Sequence, residues 1–191
     1  MTLTIILPSY RRPEDVFIES IEDSFPGCEI IISRDRDGRG KGWAIRQALE
    51  HAKGEYIAFL DSDGDLEPRM LLRLLPFIED YEAVCGSKRI NHKHFSRRVV
   101  TVLSRIYIRL MFGIVADTQT GIKLFRRRAI KEWVTDGFFF DAEILSHIDN
   151  DKIIEVPVEA NITEPIRKGA IWKTLKESLI LKSRLLFPAK K

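Results

Sequence analysis

The chain has 191 residues, 45% of them hydrophobic and 31% charged, with a net charge of +3, a composition that suits one globular domain burying roughly two thirds of its unfolded surface. No run approaches the ~20 apolar residues needed to span a bilayer, and the start "MTLTIILPSYRR" lacks the marks of a signal peptide. Cys28 and Cys85 form no CxxC pair, which excludes a disulfide scaffold and predicts reduced thiols in a cytoplasmic chain.

The charge is segregated. Residues 1–85 carry 10 Lys/Arg against 17 Asp/Glu, residues 86–131 carry 12 against only Asp117, and residues 132–160 carry 1 against 8. Residues 161–191 return to 8 against 2. Such blocks predict an acidic site facing a basic, anion-seeking surface.

In chain order, "LTIILP" (3–8) reads as a buried strand, and residues 13–24 as a helix with Pro13 in its first turn. "CEIIIS" (28–33) is a second strand, and "RDRDGRGKG" (34–42) a charged, glycine-rich loop. "WAIRQALEHAK" (43–53) repeats apolar residues at helical spacing, with Gly54 as its C-terminal stop. "YIAFL" (56–60) is a third strand, the aspartates of "DSDGD" (61–65) follow it, and a helix runs through "PRMLLRLLPFIED". This order predicts an α/β sandwich with a mainly parallel sheet. Pro8–Tyr10, Arg34–Asp37 and Asp61–Asp65 then share the edge at the carboxyl ends of the strands, where such sheets bind ligands.

A solvated turn explains three aspartates after a strand only weakly, because like charges at alternating positions repel. An EF-hand loop needs glycine and glutamate where this chain has Leu66 and Leu72. "DSDGDL" looks like the haloacid dehalogenase motif, but Asp149 and Asp151 precede a strand instead of following one. A divalent cation shared with a diphosphate needs few protein carboxylates and suits an open strand end. "GRGKG" is neither a P-loop nor G-x-G-x-x-G, yet Gly40 and Gly42 precede a helix whose free N–H groups favour an anion, and Lys41 adds charge.

"IILPSY", "GRGKGWAIRQALEHAKGEYIAFLDSDGDLEP", "GSKR" (86–89), "DTQTGIKLFRR" (117–127) and "FFFDAEIL … IIEVPV" occur in that order. Together they resemble the family 2 glycosyltransferases, in particular the dolichyl- or polyprenyl-phosphate hexose synthases, glucosyl and mannosyl types alike. Two departures stand out: Arg11 and Arg12 replace the usual N-[ED] after the tyrosine, and the segment after strand two is shortened. The resemblance implies a GT-A, Rossmann-like nucleotide-diphospho-sugar transferase fold with amphipathic interfacial helices. It divides the chain into a catalytic domain (1–165, carrying an amphipathic helix at 95–112) and a basic amphipathic helix (166–191).

The implied reaction is inverting transfer of a hexose from a UDP- or GDP-sugar to dolichyl or polyprenyl phosphate, with Mg²⁺ or Mn²⁺ as cofactor. Pro8, Tyr10, Asp35, Lys41, Gly42, Asp61 and Asp63 are the implied nucleotide-sugar contacts. Asp61 and Asp63 hold the metal, with Asp65 a third candidate. Lys88, Arg89, Lys123, Arg126 and Arg127 are candidates for the acceptor phosphate, to which arginine and lysine are suited. A sugar-hydroxyl acceptor would need a base, for which Asp141 or Glu143 stands available; their alternative role is to orient a loop or pair with the basic block. A nucleotidyltransferase of similar build is the remaining enzymatic alternative.

On a helical wheel, Val99, Leu103, Ile106 and Leu110 share one stripe, and Arg98, Arg105 and Arg109 another. Ile171, Leu175, Leu179 and Leu186 likewise lie together, opposite Lys173, Lys176 and Arg184, with Lys182 on the apolar side. Basic amphipathic helices lie in a membrane interface, so a peripheral protein at the cytoplasmic membrane face is expected, or else two helices packed on the core. No nucleic-acid motif is present, His92 and His94 read as surface residues, and homo-oligomerisation stays open.

Overall fold

The computed structural model describes residues 2–9, 14–88, 95–160 and 168–186. Six strands form its sheet: β1 (Leu3–Ser9), β2 (Glu29–Arg34), β3 (Tyr56–Leu60), β4 (Ala83–Lys88), β5 (Ile122–Arg126) and β6 (Ile153–Val158). Their spatial order is β2-β1-β3-β5-β4-β6. β5 runs antiparallel to both of its neighbours, and the other pairings are parallel. The mainly parallel α/β sheet expected from the element order is therefore present, with one reversed strand at its centre. Pro157 sits in β6, an edge strand, where a missing N–H disrupts no second ladder.

The apolar runs are continuous because both faces of the sheet are covered. Ile6, Ile57, Phe59, Cys85 and Phe125 pack on one side, with Ile45 and Ala48 of α2 (Lys41–His51) and Ile144 of α4 (Phe140–Ser146). Ile5, Leu7, Ala58, Leu60, Val84 and Leu124 pack on the other, against Ile21 of α1 (Asp15–Ser24) and Leu71. Truncating one of the leucines, isoleucines or phenylalanines among these to alanine costs about 2–5 kcal/mol. Cys85 is fully buried, and desolvation pushes its thiol up to about 12, so it stays protonated and inert. Two long helices complete the fold, α3 (Phe95–Phe112) and α5 (Lys168–Leu186). They meet through Tyr107 and Ser178, whose hydroxyls lie 2.9 Å apart, and through Lys182, which donates to the Met111 carbonyl at 2.5 Å.

Two local expectations are corrected. The helix foreseen through "PRMLLRLLPFIED" is instead a pair of 3₁₀ segments, Pro68–Arg73 and Leu75–Phe77. Pro76 has no N–H to donate and its ring clashes with the carbonyl four residues back, so the bonds found there span three residues, as in Leu74 N–H to Leu71 O at 3.0 Å. Gly54 is no left-handed helix stop. A Cβ on it would lie 2.5 Å from the Thr4 nitrogen, so its smallness lets the chain pass close over β1.

Candidate active site

Register fixes what lies at each edge of the sheet. Ser9 pairs with Arg34 and Ile6 with Phe59, so Pro8, Asp35 and Asp61 emerge at the same edge. Lys88 ends β4, which runs parallel to β3, and reaches that edge too. Tyr10 and Arg89 lie outside the described residues, as do His92 and His94.

Asp61 is the hub. Its N–H donates to the Gly121 carbonyl at 2.8 Å, which ties the end of β3 to the loop before β5. One carboxylate oxygen, Oδ1, accepts from Lys41 Nζ at 2.5 Å. The other oxygen faces the Cα of Gly121, where a Cβ would sit 2.2 Å from it. Only glycine leaves room for the carboxylate at that point. Gly121 belongs to the "DTQTGIK" motif but was not among the expected site residues. Its signal was a glycine one residue before a strand, whose need for close approach shows only in three dimensions.

The glycine-rich loop serves the site differently from the expectation. Gly42 N–H donates to the Gly137 carbonyl and Trp43 N–H to the Asp136 carbonyl, both at 3.1 Å. A Cβ on Gly42 would lie 2.4 Å from the Thr135 carbonyl oxygen. These N–H groups at the start of α2 are thus taken up by the 135–137 backbone and not left for an anion, and Gly42 is a close-packing glycine. Asp35 has a comparable local duty, accepting from Arg39 N–H at 2.8 Å and Gly40 N–H at 2.7 Å. What the loop delivers to the site edge is the side chain of Lys41.

Asp63 is exposed, and its Oδ1 accepts the Asp65 N–H at 3.1 Å in a local turn. Among the described residues no three His, Cys, Asp or Glu side chains converge as a ready-made metal cage. Asp61, Asp63 and Asp65 are nevertheless all oxygen donors on one turn, a donor set that suits a hard cation completing its shell with ligand oxygens and water.

Behind this edge lies a second lysine–aspartate pair. Lys123 is 2% exposed; its Nζ donates to Asp141 Oδ2 at 2.7 Å and to the carbonyls of Thr118 at 3.1 Å and Thr120 at 2.5 Å. Burial works against its charge, but Asp141 and its other acidic neighbours outweigh that and raise its pKa above the ordinary lysine value. Lys123 is therefore a buried strut beneath the 118–120 loop and not a residue facing an acceptor. Glu143 is likewise engaged: it accepts from Val134 N–H at 3.1 Å and Thr135 N–H at 2.8 Å. Glu177 of α5 accepts from Phe139 N–H at 3.2 Å. These carboxylates hold the loop on which the start of α2 rests.

Arg126 and Arg127 fall at the opposite edge. Because β5 is antiparallel, Ile122 pairs with Leu60 at the Asp61 end while Arg126 pairs with Tyr56. Arg126 donates to the carbonyls of Tyr81 (3.2 Å) and Glu79, and Arg127 to those of Ala52 and Leu49 at the end of α2. Their expected role at the acceptor phosphate is corrected by this geometry: the reversed strand carries them away from the aspartates.

Sequence reasoning also left out Arg105 and Asp117 as a pair. Arg105, grouped with Arg98 and Arg109 on one stripe, donates to Asp117 Oδ2 at 2.8 Å and Ser87 Oγ at 3.1 Å. Asp117 further accepts from Gln119 N–H at 2.8 Å and Thr120 Oγ1 at 3.0 Å, and its own N–H donates to Glu155. Burial pushes the Asp117 carboxyl up, but Arg105 and these donors prevail and hold it below the ordinary carboxylate range. The apolar stripe of α3 faces outward, with Val99, Leu103, Ile106 and Leu110 exposed, and Val102 is exposed beside it. On α5, Leu181 and Ser178 are buried while Trp172 and Leu179 are exposed. No helix among the described residues is long and apolar enough to cross a membrane.

Comparison with known proteins agrees with this arrangement. Residues 15–134, more than half of the chain, match the family model "Glycosyl transferase family 2". The chain belongs to glycosyl transferase family 2. Its relatives include the dolichyl-phosphate beta-glucosyltransferase of Saccharomyces cerevisiae, 32% identical over 141 residues that span 61% of this chain and 42% of that protein. The undecaprenyl-phosphate mannosyltransferase of Micrococcus luteus is 24% identical over 217 residues, covering 90% of this chain and 89% of the relative. The chain spans half or less of the dolichyl-phosphate beta-glucosyltransferases of yeast, Dictyostelium discoideum and Homo sapiens. Among solved structures, glucosyl-3-phosphoglycerate synthase from Mycobacterium tuberculosis, in complex with Mn²⁺ and UDP-glucose, superposes with a TM-score of 0.71. At 18% identity, over 95% of this chain and 78% of that one, the match establishes the GT-A fold that both members of the pair share.

Proposed function

We propose that this family 2 member transfers a hexose, with inversion, from a nucleoside diphospho-sugar to a polyprenyl or dolichyl phosphate at a membrane surface. The observation that carries the reading is the Asp61 carboxylate at the end of β3, wedged between Lys41 and Gly121 with Asp63 exposed beside it. Asp61 and Asp63 are the residues that would hold Mg²⁺ or Mn²⁺, with Asp65 on the same turn. When bound, the ion neutralises charge on the departing nucleoside diphosphate. Pro8, near the end of β1, and Asp35, on the loop after β2, border the space for the nucleoside, and Tyr10 is proposed as a further contact. UDP-glucose leads the donors to test, since it is the donor held by the solved relative.

The acceptor oxygen attacks the anomeric carbon as the bond from that carbon to the diphosphate oxygen breaks. A phosphate monoester is already ionised near neutral pH, so no protein base is required. That matters because Asp141 is tied up by Lys123 and Glu143 by two backbone amides, which disfavours a sugar-hydroxyl acceptor. Lys88, at the end of β4, and Arg89, the next residue in the sequence, remain the cations proposed for the acceptor phosphate. The lipid portion is suited to the outward apolar residues of α3, of which Leu110 is 79% exposed, and to Trp172 of α5.

The test is a panel of UDP- and GDP-hexoses with polyprenyl phosphate and Mg²⁺ or Mn²⁺, following nucleoside diphosphate release and glycolipid formation. Turnover with at least one pair is expected, falling at least about 100-fold in Asp63→Ala. No turnover with any donor, or an Asp63→Ala variant equal to wild type, overturns the proposal.

A further inference from the structure

The pair formed by Lys41 and Asp61 holds more than a structural contact. Lys41 is the first residue of α2, where the helix dipole disfavours a cation and favours an anion. Its backbone is fixed, since the next two N–H groups are bonded to the 136–137 segment. Its side chain is not fixed in the same way. The stem leans over the Phe140 ring, with Nζ 5.9 Å from the centroid, and the side chain keeps 19% of its surface exposed, while that of Asp61 keeps 27%. Four rotatable bonds let the ammonium sweep several ångströms at little cost.

Meanwhile Oδ1 of the Asp61 carboxylate is taken by Lys41, and Oδ2 faces the Gly121 backbone. A divalent cation needs an oxygen at about 2.0–2.2 Å, and the ammonium already occupies that approach at 2.5 Å. Two cations on one oxygen repel strongly at such a separation. At Oδ1, where the ammonium sits, the two therefore compete.

Building on the function proposed above, we propose that Lys41 is an exchangeable counter-ion. It neutralises Asp61 while the site is empty of metal, leaves when a divalent cation arrives, and turns to the diphosphate oxygens of the donor that arrives with it. The diphosphate gives the displaced ammonium an anion to replace the one it lost, so metal and nucleotide favour each other's binding through this residue. Such coupling is reciprocal. Lys41 thus makes the site select the metal–nucleotide complex over the free ion.

The experiment titrates Mn²⁺ into the protein with and without UDP, reading free Mn²⁺ by electron paramagnetic resonance. Wild type is expected to bind Mn²⁺ alone weakly, and at least about tenfold more tightly when UDP is present. Lys41→Met, and Lys41→Gln as its independent check on folding, are expected to bind Mn²⁺ alone about tenfold more tightly than wild type and to lose most of the UDP-dependent gain. Lys41→Arg keeps a cation and is expected to keep the weak binding of Mn²⁺ alone. Unchanged or weaker binding of Mn²⁺ alone in both Lys41→Met and Lys41→Gln overturns the exchange while leaving the transferase reading intact. Wild type that binds no Mn²⁺ with UDP or GDP overturns both.

Discussion

Two lysine–aspartate pairs stand one behind the other in this protein, and their likeness is superficial. Lys41–Asp61 and Lys123–Asp141 are separated by 2.5 and 2.7 Å. The first sits at the open edge of the sheet, with 19% and 27% of its side-chain surfaces exposed; the second keeps only 2% and 11%. Lys123 also satisfies two carbonyls of the 118–120 loop, so its ammonium is fully bonded and has no cheap alternative. Distance alone says nothing about whether an ion pair is a working part or a strut. Solvent access and the number of further bonds decide it.

Removing one partner from each pair separates them most sharply. Lys123→Met strands a buried carboxylate, and urea unfolding is expected to show a loss of about 3–5 kcal/mol. The double variant Lys123→Met with Asp141→Leu is expected to regain much of it, because no uncompensated charge remains. Lys41→Met is expected to cost less than about 1 kcal/mol, as for other partly exposed pairs. If the two single variants destabilise equally, the contrast fails.

The floor beneath the open pair is probed by Gly121→Ala. The added Cβ would lie 2.2 Å from Asp61 Oδ2, which forces the carboxylate aside. Transfer is expected to fall about 100-fold, a larger loss than the fraction of protein unfolded at the assay temperature accounts for. A fully active Gly121→Ala would show that Asp61 does not need its present orientation.

Acid tests the polar hub formed by Asp117. Its folded-state pKa lies below the unfolded value of about 3.8, so its stabilisation is complete above that pH. The unfolded state takes up the proton first as pH falls, and the stabilisation is lost toward the lower folded value. Asp117→Asn is expected to lower stability at neutral pH and to flatten that acid limb in pH-dependent unfolding. An unchanged limb would assign the acid sensitivity elsewhere.

The smallest effect is expected at the far edge. Arg126→Ala removes bonds to two carbonyls and a contact with Tyr56, worth about 1 kcal/mol of stability. Transfer kinetics and acceptor KM are expected to stay at wild-type values. A selective rise in acceptor KM would return this arginine to the acceptor site.

Much of this was legible along the chain. The apolar runs of β1, β2 and β3 read directly as buried strands, and Asp61 follows the last of them, so its place at the carboxyl edge needed only parallel strands and right-handed crossovers. Lys41 was legible as a charge at a helix start, though its partner twenty residues away was not. The helix boundary at Lys41 and the 3₁₀ segments around Pro76 were readable only in part, because local propensity yields to the contacts each turn makes.

Sequence by itself determined the first three strands, the helices between them, the strand-end aspartates and the family motifs, because these depend on local periodicity and on residues close together in the chain. Only the tertiary structure decided which way β5 runs. That single direction sent Arg126 and Arg127 to the far edge and placed Gly121 against Asp61. Alternation along the same strand turned Lys123 into the core. Strand direction and side-chain burial arise from contacts between residues far apart in sequence, and no local pattern encodes them.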